Sequence, residues 1–303
     1  MRTTPEGWAQ TIKRMVALNG LSITPEESRA VVRSLSATHG LAPEEAMPVA
    51  YIPEKRIIDE LNIPNDQVRE ACAACHAFGQ GLSWRRSKHE WKLLQEFHVA
   101  LYSQAGAQFR RTAGASGERD EDEENGGKRP PNNGEVALEY MRKTAPLHTP
   151  EWASWSARRA EPRVEGTWLL TASLPGKGPF VGTVEIEPGA SAEEFSTTAT
   201  MRSLADGSVH SRTGAGLVYG GFMWRGRSDN GGRVTAPDDP LSSVRETLHF
   251  TPDQQSATGR WFWGEYHEFG YDVKLVRATV APAILAVTPG AIRAGSRGVE
   301  VTV

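Results

Sequence analysis

The spacing of the apolar side chains changes near residue 160, and this restricts the chain more than any other feature. Before that point large apolar residues recur every three or four positions, as in Trp8, Ile12, Met15 and Val16, then Val31, Val32 and Leu35. This is the period of an amphipathic helix. From about Arg163 to Ala278 the texture is short runs rich in β-branched and aromatic residues, separated by Gly, Pro, Asp and Asn. Such runs read as short strands joined by turns. Helices followed by strands imply separate domains, and 303 residues are enough for two.

The helix starts are marked locally. Thr4-Pro5-Glu6 supplies a cap followed by proline at the first helical position, and Thr24-Pro25-Glu26-Glu27 opens a second helix. That helix is expected to stop near Gly40 as its cap glycine, with His39 before it at the favourable end of the helix dipole. Asn65 caps a third helix that runs through Val68 into the cysteine pair. Residues 110–134 have almost no large apolar side chain and are expected to form an exposed loop. A short helix follows over 135–143.

Eight strands are predicted: Val164–Leu174, Pro179–Glu187, Glu194–Leu204, Ser208–Val218, Gly221–Arg225, Val244–Phe250, Ala257–Tyr266 and Tyr271–Arg277. Asp206-Gly207 marks a tight turn. This pattern suggests an antiparallel barrel or sandwich. Residues 281–303 read as a linker and the first strands of a further β domain.

Lys+Arg 34 against Asp+Glu 37 leaves a net charge of -3, which argues against a nucleic-acid binder. No run of about 18 apolar residues is present, so no helical membrane span is expected. The chain has two cysteines, too few for a disulfide scaffold or a four-cysteine zinc site.

Both cysteines lie in Cys72-Ala73-Ala74-Cys75-His76. Thiols at this spacing reach the two vinyl groups of one porphyrin, and the adjacent histidine is placed to ligate the iron. A thioredoxin-like pair would need a preceding strand and a βαβ context, neither of which is evident. A zinc site would need a second pair of ligands, and a chance match would have to capture both cysteines of a cysteine-poor chain. Covalent haem is therefore the leading reading.

The iron's sixth position could be filled by Met15, His39, Met47, His89, His98, Met141 or His148. An internal likeness ranks them. Arg2 to Trp8 (RTTPEGW) is followed seven residues after its tryptophan by Met15; Arg85 to Trp91 (RRSKHEW) is followed at the same interval by His98. Residues seven apart share a helix face, so each tryptophan is expected to pack near its ligand. The pattern reads as two copies of one unit. His98 would complete a bis-histidine haem, and Met15 would ligate another whose attachment motif lies before residue 1. His210, His249 and His267 fall among the strands and are read as hydrogen-bonded or exposed imidazoles. No Walker, G-x-S-x-G or dinucleotide glycine motif occurs.

The stretch RTTPEGWAQTIKRMVALNGLSITPEESRAVVRSLSATHGLAPEEA, followed by CAACH, resembles the dihaem cytochrome c domain of the quinohaemoprotein amine dehydrogenase alpha subunit. GRWFWGEYHEFGYDVKLVRA near residues 259–278 is similar to the last strands of that subunit's β-barrel. Residues 282–303 are similar to the opening of its immunoglobulin-like domains. The resemblance implies a cytochrome c-like haem domain over 1–160 with an inserted loop at 110–134, an antiparallel barrel over 161–280, and the start of an immunoglobulin-like domain over 281–303. It implies haem c on Cys72 and Cys75, with His76 proximal and His98 distal, and Met15 as distal ligand of a second haem in the full-length protein. In that family a small subunit carries a quinone built on tryptophan, a further β subunit is present, and electrons pass through the haems to a soluble copper protein or cytochrome. The periplasm is implied, although no export signal is present in this chain. Met1 falls inside a domain, so a fragment or a misplaced start is expected.

Two other classes stand beside this one. A haem module for sensing or assembly would not be reduced by amine plus the quinone subunit. A haem peroxidase would need an open or displaceable sixth position.

Overall fold

In the computed structural model, residues 1–57, 63, 65–112, 129–281, 283–287 and 292–300 are described. The chain divides into one unit of Met1–Ile52 with Ile58–Arg158 and another of Pro53–Ile57 with Arg159–Val303.

The first unit is helical. Its elements are β1 (Arg2–Thr3), α1 (Pro5–Asn19), α2 (Pro25–Thr38), α3 (Pro43–Ala46), α4 (Asp66–Cys72), α5 (Phe78–Leu82), β2 (Trp84–Arg85), α6 (Lys88–Leu101), α7 (Ser103–Arg110), α8 (Asn133–Thr144) and α9 (Pro150–Arg158). The caps fall where the sequence marks them. Thr4 accepts from the Gly7 amide, and Thr24 forms a capping box with Glu27. Gly40 differs from expectation, because α2 ends at Thr38 with His39 in an irregular conformation. A side chain on Gly40 would put Cβ 2.2 Å from the Ser36 carbonyl oxygen. Glycine is needed there for close approach rather than for a left-handed cap. Asn132 caps α8, which starts two residues before the predicted helix. Of the expected 110–134 loop, residues 113–128 lie outside the described residues.

The internal likeness takes a physical form. β1 and β2 pair antiparallel with Arg2 opposite Arg85 and Thr3 opposite Trp84. The caps that follow, Thr4 (φ −67°, ψ 163°) and Ser87 (φ −65°, ψ 163°), have nearly the same backbone. Trp8 Nε1 donates to the His39 carbonyl at 3.1 Å, and Trp91 Nε1 to the Ala145 carbonyl at 3.0 Å. Those carbonyls lie just past α2 and α8, so each tryptophan ties its own helix to the end of a second.

Where the two copies meet, the carboxylate of Glu45 is buried. It accepts from Arg2 Nη1 at 2.7 Å and Nη2 at 2.9 Å, Arg85 Nε at 3.2 Å, Thr149 Oγ1 at 2.8 Å and the Ala42 amide at 3.0 Å. Burial alone would raise its pKa, but the Arg2 and Ala42 hydrogen bonds and the charges of Arg2 and Arg85 outweigh that and hold it below the usual carboxylate range.

The second unit is a barrel of β3 (Gly166–Leu174), β4 (Gly178–Pro188), β5 (Glu194–Ser203), β6 (Val209–Tyr219), β7 (Met223–Asp229), β8 (Val244–Phe250), β9 (Ser256–Trp263) and β10 (Phe269–Arg277). Each strand pairs antiparallel with its sequence neighbour, and β10 pairs with β3 to close the ring. Closure makes this a barrel, not a sandwich. The inner face alternates as a strand should: on β5 it takes Phe195, Thr197, Ala199, Met201 and Ser203. Two glycines allow the strands to coil. A Cβ on Gly182 would lie 1.9 Å from the Thr200 carbonyl oxygen, and one on Gly259 2.0 Å from that of Thr247.

The loop between β7 and β8 is fastened from the barrel. Arg212 donates to the carbonyls of Pro240 and Ser242, Tyr271 to Pro240, and Trp263 Nε1 to Pro237 at 2.8 Å. The segment Pro53–Ile57 is bound to β9 and β10, where Arg260 donates to the Lys55 carbonyl at 3.0 Å and Arg56 pairs with Asp272 at 2.5 Å. Past Arg277 no strand forms among the described residues. No described helix is long and apolar enough to cross a membrane.

Replacing Glu45 would leave two buried guanidinium groups without their shared anion, which costs about 3–5 kcal/mol. Glu45→Gln should therefore lower the urea midpoint of the helical unit at neutral pH. Because the folded-state pKa is depressed, the carboxylate's contribution is present above its unfolded value and is lost as pH falls through the folded one. The gap between wild type and Glu45→Gln should accordingly close in acid; a gap independent of pH would contradict this account.

Candidate functional site

The Cys-x-x-Cys-His motif begins at the end of a short, firmly capped helix. Asn65 accepts from the amides of Gln67 at 2.8 Å and Val68 at 3.2 Å. Val68 then reaches a core cluster of Ile63, Phe78, Trp84, Trp91, Met141 and Ala145, against which Cys72, Ala73 and Leu94 also pack. α4 ends at Cys72, so Cys75 and His76 fall in the turn before α5. Both are exposed and Cys72 is half-buried. Burial pushes the Cys72 thiol up to about 11, so it remains protonated at neutral pH. Neither cysteine is in a disulfide.

The hydrogen bonds of the two histidines define their tautomers. His76 Nδ1 lies 3.0 Å from the Ala77 carbonyl oxygen, and His98 Nδ1 lies 2.7 Å from that of Leu94. A carbonyl only accepts, so each Nδ1 is the donor, and in the neutral imidazole this leaves the Nε2 lone pair available. A metal-ligating imidazole is oriented in this way, with one nitrogen held by an outer partner and the other turned to the metal.

His98 is placed by α6, whose start is set by Ser87 in a capping box with Glu90. Trp91, seven residues before His98, is buried in the core cluster. The rings beside His98 are Phe97 and Tyr102, at 6.4 and 6.1 Å. Leu93, Phe97, Val99, Leu101 and Tyr102 leave large apolar surface uncovered along α6. On α1, Met15 is 41% exposed and is accompanied by exposed Val16 and Leu18. Among the other sulfur and imidazole candidates, Met141 is committed to the core cluster, and His39 Nδ1 lies 2.9 Å from Thr38 Oγ1. Met47, His89 and His148 are exposed.

These residues fit a haem. Two thiols at thioether spacing, an adjacent imidazole and a second imidazole with free Nε2, and uncovered apolar side chains suit a flat apolar macrocycle with two axial positions. In the barrel His210 Nε2 meets Ser208 Oγ at 2.9 Å, and His249 is buried. Among the described residues no three His, Cys, Asp or Glu side chains gather as a metal site. Two parts of the arrangement had no sequence signal: the carbonyls that orient the imidazoles, and the Glu45 carboxylate between the two copies.

In the protein without haem, nitrogen chemical shifts should report His76 and His98 in the Nδ1–H tautomer. A predominance of Nε2–H at either would show that its ring is not held for ligation.

Residues 1–113 match the family described as quinohemoprotein amine dehydrogenase A, alpha subunit, haem binding. Residues 161–278 match quinohemoprotein amine dehydrogenase, alpha subunit domain II. No curated protein matches the chain. Among solved structures it is similar to a de novo designed fluorescence-activating β-barrel, with 19% identity over 38% of this chain and 93% of that one and a TM-score of 0.29. It is also similar to a redesigned β-barrel bound to DFHBI, with 16% identity over 39% and 99% and a TM-score of 0.32. At such TM-scores these likenesses carry no functional weight. The two family matches span the helical haem-site region and all eight barrel strands, and the chain belongs to the quinohaemoprotein amine dehydrogenase alpha-subunit family.

Proposed function

We propose that this chain is the electron-transfer subunit of a periplasmic amine dehydrogenase, an oxidoreductase that deaminates primary amines. The observation that carries this reading is the Cys72-x-x-Cys75-His76 motif within the haem-binding family match, with Nδ1 of both His76 and His98 held at a main-chain carbonyl. Cys72 and Cys75 would hold haem c through thioethers, with His76 as proximal and His98 as distal ligand. When bound, a haem with both axial positions filled supplies a one-electron centre with no open site for peroxide or substrate.

The chain's own residues act by placement. The Ala77 and Leu94 carbonyls fix the imidazole planes, α4 presents Cys72 from the core cluster, and the exposed apolar side chains of α6 exclude water from one wall. Met15 is proposed as axial ligand of a second haem, whose attachment cysteines these 303 residues do not contain. Electrons would enter from a quinone-bearing small subunit, in a complex with a further β subunit, and leave to a soluble copper protein or cytochrome. The domains are proposed as 1–160 cytochrome c-like, 161–280 barrel and 281–303 the start of an immunoglobulin-like domain.

The test is to mature the chain with haem, add the quinone subunit and amine, and follow the haem absorbance. Amine-dependent reduction is expected, and its absence in the assembled complex would overturn the electron-transfer role. The wild-type haem should be low-spin. His98→Ala should convert it to a high-spin form that binds external ligands; an unchanged low-spin spectrum would remove His98 as the ligand.

A further inference from the structure

The barrel encloses an indole N–H that has no acceptor. Trp261 on β9 is 2% exposed, and its Nε1 has no hydrogen-bond partner. Native cores satisfy nearly all such buried donors. The residue directly opposite, across the β8–β9 ladder, is Glu246. Both side chains therefore stand on the inner face, where opposed Cβ atoms are about 4.5–5.5 Å apart.

Glu246 is nearly fully buried and accepts from Trp224 Nε1 at 2.9 Å. Desolvation pushes its carboxyl above the usual range, with partial relief from Ser228, Trp224 and the charge of Arg212. Trp261 and Glu246 line one cavity of about 10 Å³, together with Thr197, Trp224 and apolar side chains including Leu248 and Leu275. That space is close to the smallest that holds a water, and it is too small for an organic molecule. A polar pair that faces across a short gap without touching is the geometry that a bridging water serves.

We propose that the barrel core holds one structural water, which accepts from Trp261 Nε1–H and donates to the Glu246 carboxyl. The walls select the ligand class. An inward-pointing N–H disfavours a cation, and no basic side chain lines the cavity to hold an anion. One uncharged oxygen that both accepts and donates joins the unpartnered indole N–H to the carboxyl. The water makes the Trp261–Glu246 cross-strand pair a connected one at the centre of the ring.

The test uses the full chain with isotope-labelled tryptophan, probed with bulk water. The Trp261 indole resonance is assigned by its loss in Trp261→Phe. It should show a nuclear Overhauser contact to long-lived water, and its shift should move in Glu246→Gln, which preserves the shape of the site. A high-resolution crystal structure should place one density peak within hydrogen-bond distance of both Trp261 Nε1 and Glu246. If Trp261→Phe does not fold, correlation of the indole with the sequentially assigned Trp261 backbone amide provides the assignment. Absence of the water contact, an indole shift unmoved by Glu246→Gln, or a protein atom found accepting from Trp261 Nε1 would each overturn the proposal.

Discussion

The helical unit depends on one buried carboxylate. Glu45 draws Arg2 from the first copy of the repeated motif, Arg85 from the second and Thr149 from the turn before α9 to a single point. Arg2 and Arg85 stand opposite each other on paired strands, where two like charges would repel without an anion between them. The anion must in turn be desolvated, and five hydrogen bonds compensate for that. Tertiary placement of both helical hairpins follows, because β1 and β2 lead directly into the caps of α1 and α6. The Arg2 guanidinium also stacks on Trp152 at 4.7 Å, which brings α9 to the same point.

The candidate site rests on that frame through main-chain atoms. His98 takes its orientation from a carbonyl one turn back on its own helix, and His76 from the residue that follows it. Neither depends on a side chain that substitution could remove. The placement of the two candidate histidines therefore derives from α6 and the α4–α5 turn, which are anchored by Trp91 and Val68 in one core cluster.

Much of this was legible in the sequence where the signals are local. Thr4, Thr24 and Asn65 each cap a helix by bonding amides two or three residues away, so composition and spacing suffice. The strands were legible because turns and alternation repeat along the chain. Gly40 was misread because cap glycines and close-approach glycines look alike in sequence; the difference is a backbone angle set by Ser36 and the path of the chain after α2. The choice between barrel and sandwich turns on β10 meeting β3, a pairing between distant parts of the chain. Glu45 looked like an ordinary acidic residue in the first turn of a helix. Its partners come from residues 2, 85 and 149, which no short-range pattern connects. At the candidate site, the Cys72 and Cys75 spacing is a local signal that the sequence displays directly. The protonation of each imidazole depends on a carbonyl position that only the folded chain defines.

The closing of the barrel has a consequence for the order in which the chain folds as it emerges from its N-terminus. The ring cannot shut until β10 has emerged, because β3 waits for a partner about a hundred residues downstream. The segment Pro53–Ile57 waits as well, since the groups that bind it, on Arg260 and Asp272, are made late. The helical unit has its strand pair, its Glu45 junction and both histidines by Arg158. Domains fold in order of emergence, so the thiols of Cys72 and Cys75 are presented on a finished scaffold while the barrel is still an open ribbon with two unpaired edges. Completion of the helical unit and closure of the barrel are thus separable in time, and a lesion in one need not stall the other.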